Sequence, residues 1–91
     1  MSEQKTAVVT VIGRDTFGII AQVTRVLAQH RANILYISQT VLSGMFNMVM
    51  IIDVTEVAYE ALSDEILALG KEMGLQMRVQ RSEIFDAMHR L

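Results

Sequence analysis

The sequence predicts an α+β fold: a ferredoxin-like βαββαβ sandwich in which a four-stranded antiparallel sheet carries two helices on one face, followed by a short C-terminal helical tail. Three observations predict it. Strand-like and helix-like periods alternate in the order strand, helix, strand, strand, helix, strand. The two halves repeat: the strands near Thr6 and Phe46 lie 40 positions apart, and the helix starts near Ile19 and Glu56 lie 37 apart. Only Ser43-Gly44 separates the second strand from the third, which leaves room for a hairpin turn and nothing else. Right-handed crossovers then place both helices on one side of the sheet, with the first and third strands central.

Thr6 to Ile12 is β-branched and mostly apolar, as a central strand buried on both faces would be. Gly13-Arg14-Asp15-Thr16-Phe17-Gly18 reads as a turn. From Ile19 the period becomes 3.6, with Ile19, Ile20, Val23, Val26 and Leu27 on one face. Asp15 or Thr16 can cap this helix, and Arg31-Ala32-Asn33 ends it, asparagine tolerating the left-handed conformation. Ile34 to Leu42 and Met45 to Val54 form the hairpin strands. In the latter, Phe46, Met48, Met50 and Ile52 point one way and Asn47, Val49, Ile51 and Asp53 the other; either set can face the helices. Thr55 is positioned to cap the second helix, whose apolar stripe is Leu62, Ile66, Leu69 and Met73 and which Gly70 and Gly74 weaken or stop. Leu75 to Arg81 alternates as an edge strand does. Ser82 then caps a tail whose residues Ile84, Phe85, Met88 and Leu91 form an apolar stripe, expected to dock rather than dangle. The whole is one domain, residues 1–91, with its core over about 5–81 and the tail over 82–91.

At 91 residues the core is small, yet 52% of the residues are apolar and 20% charged. That surplus predicts a second buried surface, most simply a homodimer contact. The net charge of −2 provides no general attraction for nucleic acid or an anionic membrane. Cysteine is absent, which excludes disulfides, thiolate zinc sites, iron–sulfur clusters and thiol nucleophiles, and fits the cytoplasm. Met1-Ser2-Glu3-Gln4-Lys5 lacks a signal pattern, and the longest apolar run, Met48 to Ile52, is far too short to span a bilayer.

Enzyme readings find little purchase. Gly13 and Gly18 have the spacing of a phosphate-loop pair, but Ile19-Ile20 stand where Lys and Ser or Thr are needed. His30 and His89 lie 59 positions apart without a metal-ligand pattern and read as exposed helical positions. The methionines, Met45, Met48, Met50, Met73 and Met77 among them, read as adaptable core rather than copper ligands. RNA binding on this topology needs aromatic side chains on the central strands; the first has none and the third offers only Phe46. No catalytic residue, metal or cofactor is expected.

One segment stands out: Gly13-Arg14-Asp15-Thr16-Phe17-Gly18-Ile19, followed by Asn33-Ile34. It resembles an ACT domain, a small regulatory module that binds amino acids and related metabolites, whose first turn often reads Gly-x-Asp-x-x-Gly-Ile/Leu and whose second strand often opens with Asn-Ile. The resemblance covers about Thr6 to Arg81, and the ending from Ser82 to Arg90 is similar to that of stand-alone bacterial and archaeal ACT proteins of uncharacterised function. It implies a ligand-binding set of Arg14, Asp15, Phe17, Gly18, Ile19, Asn33 and Ile34. It also implies a homodimer in which the first turn lies near the start of the second strand and the subunit contact. Most ACT domains are appended to the enzyme or DNA-binding domain they regulate, so a partner protein is implied here.

The residues admit this reading on their own chemistry. A turn feeding a helix presents free amides, here from Phe17 to Ile20, with the helix's positive end behind them, which suits a carboxylate. Gly18 allows close approach, Asp15 can pair with an ammonium, and Asn33 both donates and accepts. The structural roles stay open beside these: a cap for Asp15, a tight turn for Gly18, a helix stop for Asn33. The expectation is a non-enzymatic sensor that passes ligand state to a partner; the alternative is a ligand-free subunit docking another protein through its dimer surface.

Overall fold

Six elements follow one another in the computed structural model, which describes residues 4–82: strand β1 (Thr6–Arg14), helix α1 (Ile19–Gln29), strands β2 (Asn33–Leu42) and β3 (Met45–Asp53), helix α2 (Tyr59–Met73) and strand β4 (Gln76–Arg81). The sheet order is β2-β3-β1-β4 and every neighbouring pair is antiparallel. This is the expected βαββαβ sandwich, with the first and third strands central. The tail stripe of Ile84, Phe85, Met88 and Leu91, and with it His89, lies outside the described residues.

Side-chain alternation decides which sheet face meets the helices. Ala7, Val9 and Val11 of β1, Phe46, Met48, Met50 and Ile52 of β3, and Met77 and Val79 of β4 pack with Ile19, Val23, Val26 and Leu27 of α1 and Leu62, Ile66 and Leu69 of α2. Phe46 therefore serves the core and is closed to base stacking. Of the methionines read as core, Met48, Met50 and Met77 are buried and Met73 packs at the margin, whereas Met45, at the hairpin, is exposed. On the helix-free face, Val8 is buried but Ile12 is exposed, so β1 is covered on both faces only near its start.

Several boundaries differ from the sequence expectation, each for a local reason. β1 runs on through Gly13 and Arg14 instead of turning there, because β3 extends far enough to pair Arg14 with Met45. α1 starts at Ile19 behind Gly18, which takes the capping position at φ 85° with no side-chain cap, so neither Asp15 nor Thr16 caps it. At its end Arg31, at φ 62°, takes the left-handed position, and the Ala32 amide donates to the Leu27 carbonyl at 2.9 Å. Asn33 is thereby not the helix stop but the first residue of β2. α2 starts at Tyr59 behind Ala58, not at Thr55. The Thr55 amide and hydroxyl both donate to Asp53 Oδ1, at 2.9 and 2.6 Å, so a side-chain turn outcompetes the helix there. The Thr55 hydroxyl above all, then the Thr55 amide and Gln4, hold the Asp53 carboxyl below its ordinary pKa. The hairpin turn is as expected, with Ser43 and Gly44 both left-handed at φ 54° and 78°.

The fit of α2 on β4 depends on Gly70. A Cβ there would stand 2.8 Å from the Leu75 carbonyl oxygen and 3.1 Å from Met77 Cβ. Alanine improves helix propensity by about 1 kcal/mol, yet Gly70→Ala is expected to lower stability by about 1–3 kcal/mol through overpacking. Urea unfolding checks this, and an unchanged or raised midpoint would show that α2 can retreat from β4.

Candidate functional site

The turn between β1 and α1 is built by three local choices. Gly18 adopts a left-handed backbone that other residues resist, although the space around it is open, so conformation and not crowding requires glycine. The first helical bond runs from the Gln22 amide to the Gly18 carbonyl at 3.0 Å, which leaves the amides of Ile19, Ile20 and Ala21 ahead of it. α1 has no acidic residue in its first turn to offset its positive end. The Asp15 amide donates to the Gly44 carbonyl at 2.8 Å, tying the turn to the β2–β3 hairpin.

Of the predicted residues, Arg14, Asp15, Phe17, Gly18 and Ile19 come together here. Arg14 and Asp15 are exposed, Ile19 is buried in the core, and Phe17 is wholly exposed. Sequence reasoning missed Gly44, whose carbonyl holds the turn, and the neighbouring apolar pair Leu42 and Met45, both exposed. The Ser43-Gly44 turn was visible in sequence, but its contact with the first turn depends on how far β1 extends.

Asn33 and Ile34 do not join this cluster. In the sheet register Asn33 pairs with Asp53, which pairs with Thr6 at the start of β1, whereas Leu42 pairs with Met45, which pairs with Arg14 at its end. The two groups thus lie at opposite ends of the sheet, separated by the length of β2, about 30 Å. Within one chain the turn and the start of the second strand are far apart.

β2 itself is an edge strand, exposed along almost its whole length. It carries Leu35, Tyr36, Ile37, Val41 and Leu42 to the surface, and Leu35 forms a bulge between Ile34 and Tyr36. Among the described residues no further strand pairs with this long edge, which carries apolar side chains on both faces.

Two other places carry polar chemistry. A cavity of about 670 Å³ opens at the far end of β1 from the turn, lined among others by Lys5, Thr6, Thr55, Tyr59, Glu60 and Arg81. There the Tyr59 hydroxyl donates to the Val79 carbonyl at 2.9 Å, and Arg81 lies 4.7 Å from the Tyr59 ring centre. Burial pushes the Tyr59 hydroxyl up from its ordinary pKa, against the pull of Arg81. None of the predicted site residues lines this cavity. His30 is not an exposed helical side chain: at the end of α1, 18% exposed, its Nε2 stands 2.9 Å from Glu65 Oε1 of α2. That contact joins the two helices. Among the described residues no three His, Asp or Glu side chains converge as a metal site, and no helix is long and apolar enough to cross a membrane.

With this geometry in hand, likeness to known proteins is informative. The model of the ACT domain family matches residues 5–80. A UPF0237 protein of Bifidobacterium longum is 46% identical over 87 residues, spanning 93% of this chain and 97% of its own length. The solved structure of an ACT domain protein from Streptococcus pneumoniae superposes with a TM-score of 0.80 at 34% identity, covering 96% of this chain and all of that one. The regulatory subunit of aspartate kinase from Thermus thermophilus, in a ligand-free form, superposes at 0.66 with 25% identity, covering 86% of this chain and 52% of that subunit. Topology, first turn and full-length likeness agree: the chain belongs to the ACT domain family.

Proposed function

We propose that this ACT domain is a regulatory sensor that binds an amino acid across a homodimer and conveys that state to a partner protein, without chemistry of its own. The family and its kinship with a regulatory subunit support a ligand-binding regulatory role in general. The observation that carries the finer reading is the split of the ligand set between opposite ends of one sheet, joined by the open edge of β2. Two β2 strands paired antiparallel about a two-fold axis near Ile37 and Ser38 set Asn33 of the second chain opposite Leu42 of the first. Leu42 leads through Met45 to Arg14, so each first turn gains the Asn33-Ile34 corner of the other chain. In this arrangement the ligand carboxylate meets the amides near Gly18 and Ile19, its ammonium meets Asp15, and Asn33 of the second chain closes the site. Phe17 and Arg14 flank it. A ligand that touches both chains biases their packing, which is the route to the partner. The cysteine-free chain suits work in the cytoplasm.

Titration calorimetry with a panel of amino acids tests this. The parent chain is expected to bind one of them, and Asp15→Asn to weaken it by about 1–3 kcal/mol with the unfolding midpoint nearly unchanged, since Asp15 caps nothing. Equal affinity in Asp15→Asn would remove the ammonium contact. A panel with no binder at millimolar concentration favours the second reading, a ligand-free subunit that docks another protein. Its supporting observation is Phe17, a wholly exposed aromatic in the turn that the Asp15 amide ties to the hairpin carrying exposed Leu42 and Met45.

A further inference from the structure

We propose that the cavity at the start of β1 is a second small-molecule site, one that takes a phosphate monoester through Lys5 and Arg81. None of the residues proposed for the amino-acid site lines it. Its volume of about 670 Å³ leaves room for a phosphate group and an organic body, small-molecule sites spanning roughly 300–1,000 Å³.

The sheet register brings the two cations onto one face. Arg81 of β4 pairs with Ala7 of β1, a core residue, and so lies on the helix side, over the Tyr59 ring. Lys5 precedes Ala7 by two residues and forms a further rung of the ladder. Its carbonyl accepts from the Val54 amide at 2.8 Å, and its amide donates to Thr55 Oγ1 at 3.0 Å. Alternation gives Lys5 the face of Ala7 and Val54, both core residues. Lys5 and Arg81 are thus diagonal neighbours on adjacent strands, with backbones about 7–8 Å apart, near enough for two long side chains to meet one group.

Charge at this corner is unbalanced. Of the described residues lining the cavity, Lys5 and Arg81 are cationic and Glu60 alone is acidic, in a chain whose net charge is −2. Among the described residues the one ion pair joins His30 to Glu65, so no carboxylate neutralises Lys5 or Arg81. Asp53 alternates to the helix-free face, and both its oxygens are taken, Oδ1 by Thr55 and Oδ2 by Gln4.

The hydroxyls around the rim are already donating: Thr6 to Ser82, Thr55 to Asp53 and Tyr59 to the Val79 carbonyl. The first bond within α2 runs from the Leu62 amide to the Ala58 carbonyl at 3.1 Å, which leaves the Tyr59 and Glu60 amides without a helical partner. What the cavity still offers is two cations and these amides, all donors. They suit a group that only accepts. A phosphate monoester, with three terminal oxygens and a charge of about −1.5 to −2 at neutral pH, can accept from both cations at once, whereas a carboxylate carries a single charge.

Amide-resolved magnetic resonance of the full 91-residue chain, titrated with glycerol phosphate at fixed ionic strength, tests the site. Saturating shifts are expected at Lys5, Tyr59, Glu60 and Arg81 at millimolar concentration. Lys5→Gln should raise the dissociation constant at least about fivefold. Its unfolding midpoint should stay unchanged, because the Lys5 side chain makes no hydrogen bond or ion pair among the described residues. Arg81→Gln should weaken binding as well, but it also uncovers the Tyr59 ring, so Lys5→Gln is the cleaner variant. No saturable shift at these four amides, or equal affinity in Lys5→Gln, would overturn the site. Shifts centred on Ile19, Ile20 and Ala21 would overturn it by placing the anion at the first turn. Acetate bound as tightly as glycerol phosphate would overturn the phosphate class.

Discussion

Replacing Ile37 by lysine should convert a dimer into monomers while leaving each chain folded. Ile37 is 43% exposed in the single chain, so a lysine stem can lie along the surface with its charge in water. In the proposed two-fold pairing of β2 the same position lies beside the axis, diagonal to its own copy, and two like charges would then stand close together across the new ladder. We expect the dimer constant to weaken at least about a hundredfold, about 3 kcal/mol. Sedimentation equilibrium reads this directly: the parent at twice 10.2 kDa, the variant at 10.2 kDa. A parent that is monomeric at tens of micromolar, or a variant dimer as strong as the parent, would contradict pairing through this edge.

The second large effect concerns the core. Ile66 and Leu67 are adjacent, but Ile66 is fully buried between α2 and the sheet and Leu67 is 45% exposed. Ile66→Ala is expected to lower stability by about 2–5 kcal/mol, because the rigid surroundings collapse only partly into the space left. Leu67→Ala is expected to cost no more than about 1 kcal/mol. Urea unfolding of the pair separates them. Equal losses would mean that α2 is rotated from the orientation described, or that Leu67 is covered in the assembly.

Much of the fold was legible because its signals are local and periodic. The alternation through Met45 to Asp53 identifies β3, and the shift to 3.6 at Ile19 identifies α1, since both patterns follow from which side chains must leave water. The hairpin at Ser43-Gly44 follows from loop length alone. The misplaced boundaries are of another kind. Thr55 was a good candidate cap by residue type, but Asp53, two residues earlier, offered its carboxylate first and delayed α2 by a turn. Asn33 was the natural left-handed residue by propensity, yet Arg31 takes that position and Asn33 is drawn into pairing with Asp53. Arg14 joined a strand because β3, distant in sequence, supplied a partner.

The candidate site shows the same division. The turn from Asp15 to Ile19 could be read from its glycine and the helix start behind it. That Asn33 lies at the other end of the sheet could not, because it depends on the direction in which α1 returns the chain and on the register of β2 against β3. This separation makes a second chain necessary for the proposed site.

The central claim, a site shared between two chains, is tested most directly by mixing two variants that each weaken binding. Asp15→Asn spoils the first-turn half of each site and Asn33→Ala the other half. In a mixed dimer both lesions fall in one site, and the second site is assembled from an intact Asp15 and an intact Asn33. Calorimetric titration, with the amino acid that the parent binds, is therefore expected to find parent-like sites in the exchanged mixture although neither variant alone has them. A mixture that binds no better than its separate components would place the whole site within one chain and contradict the account.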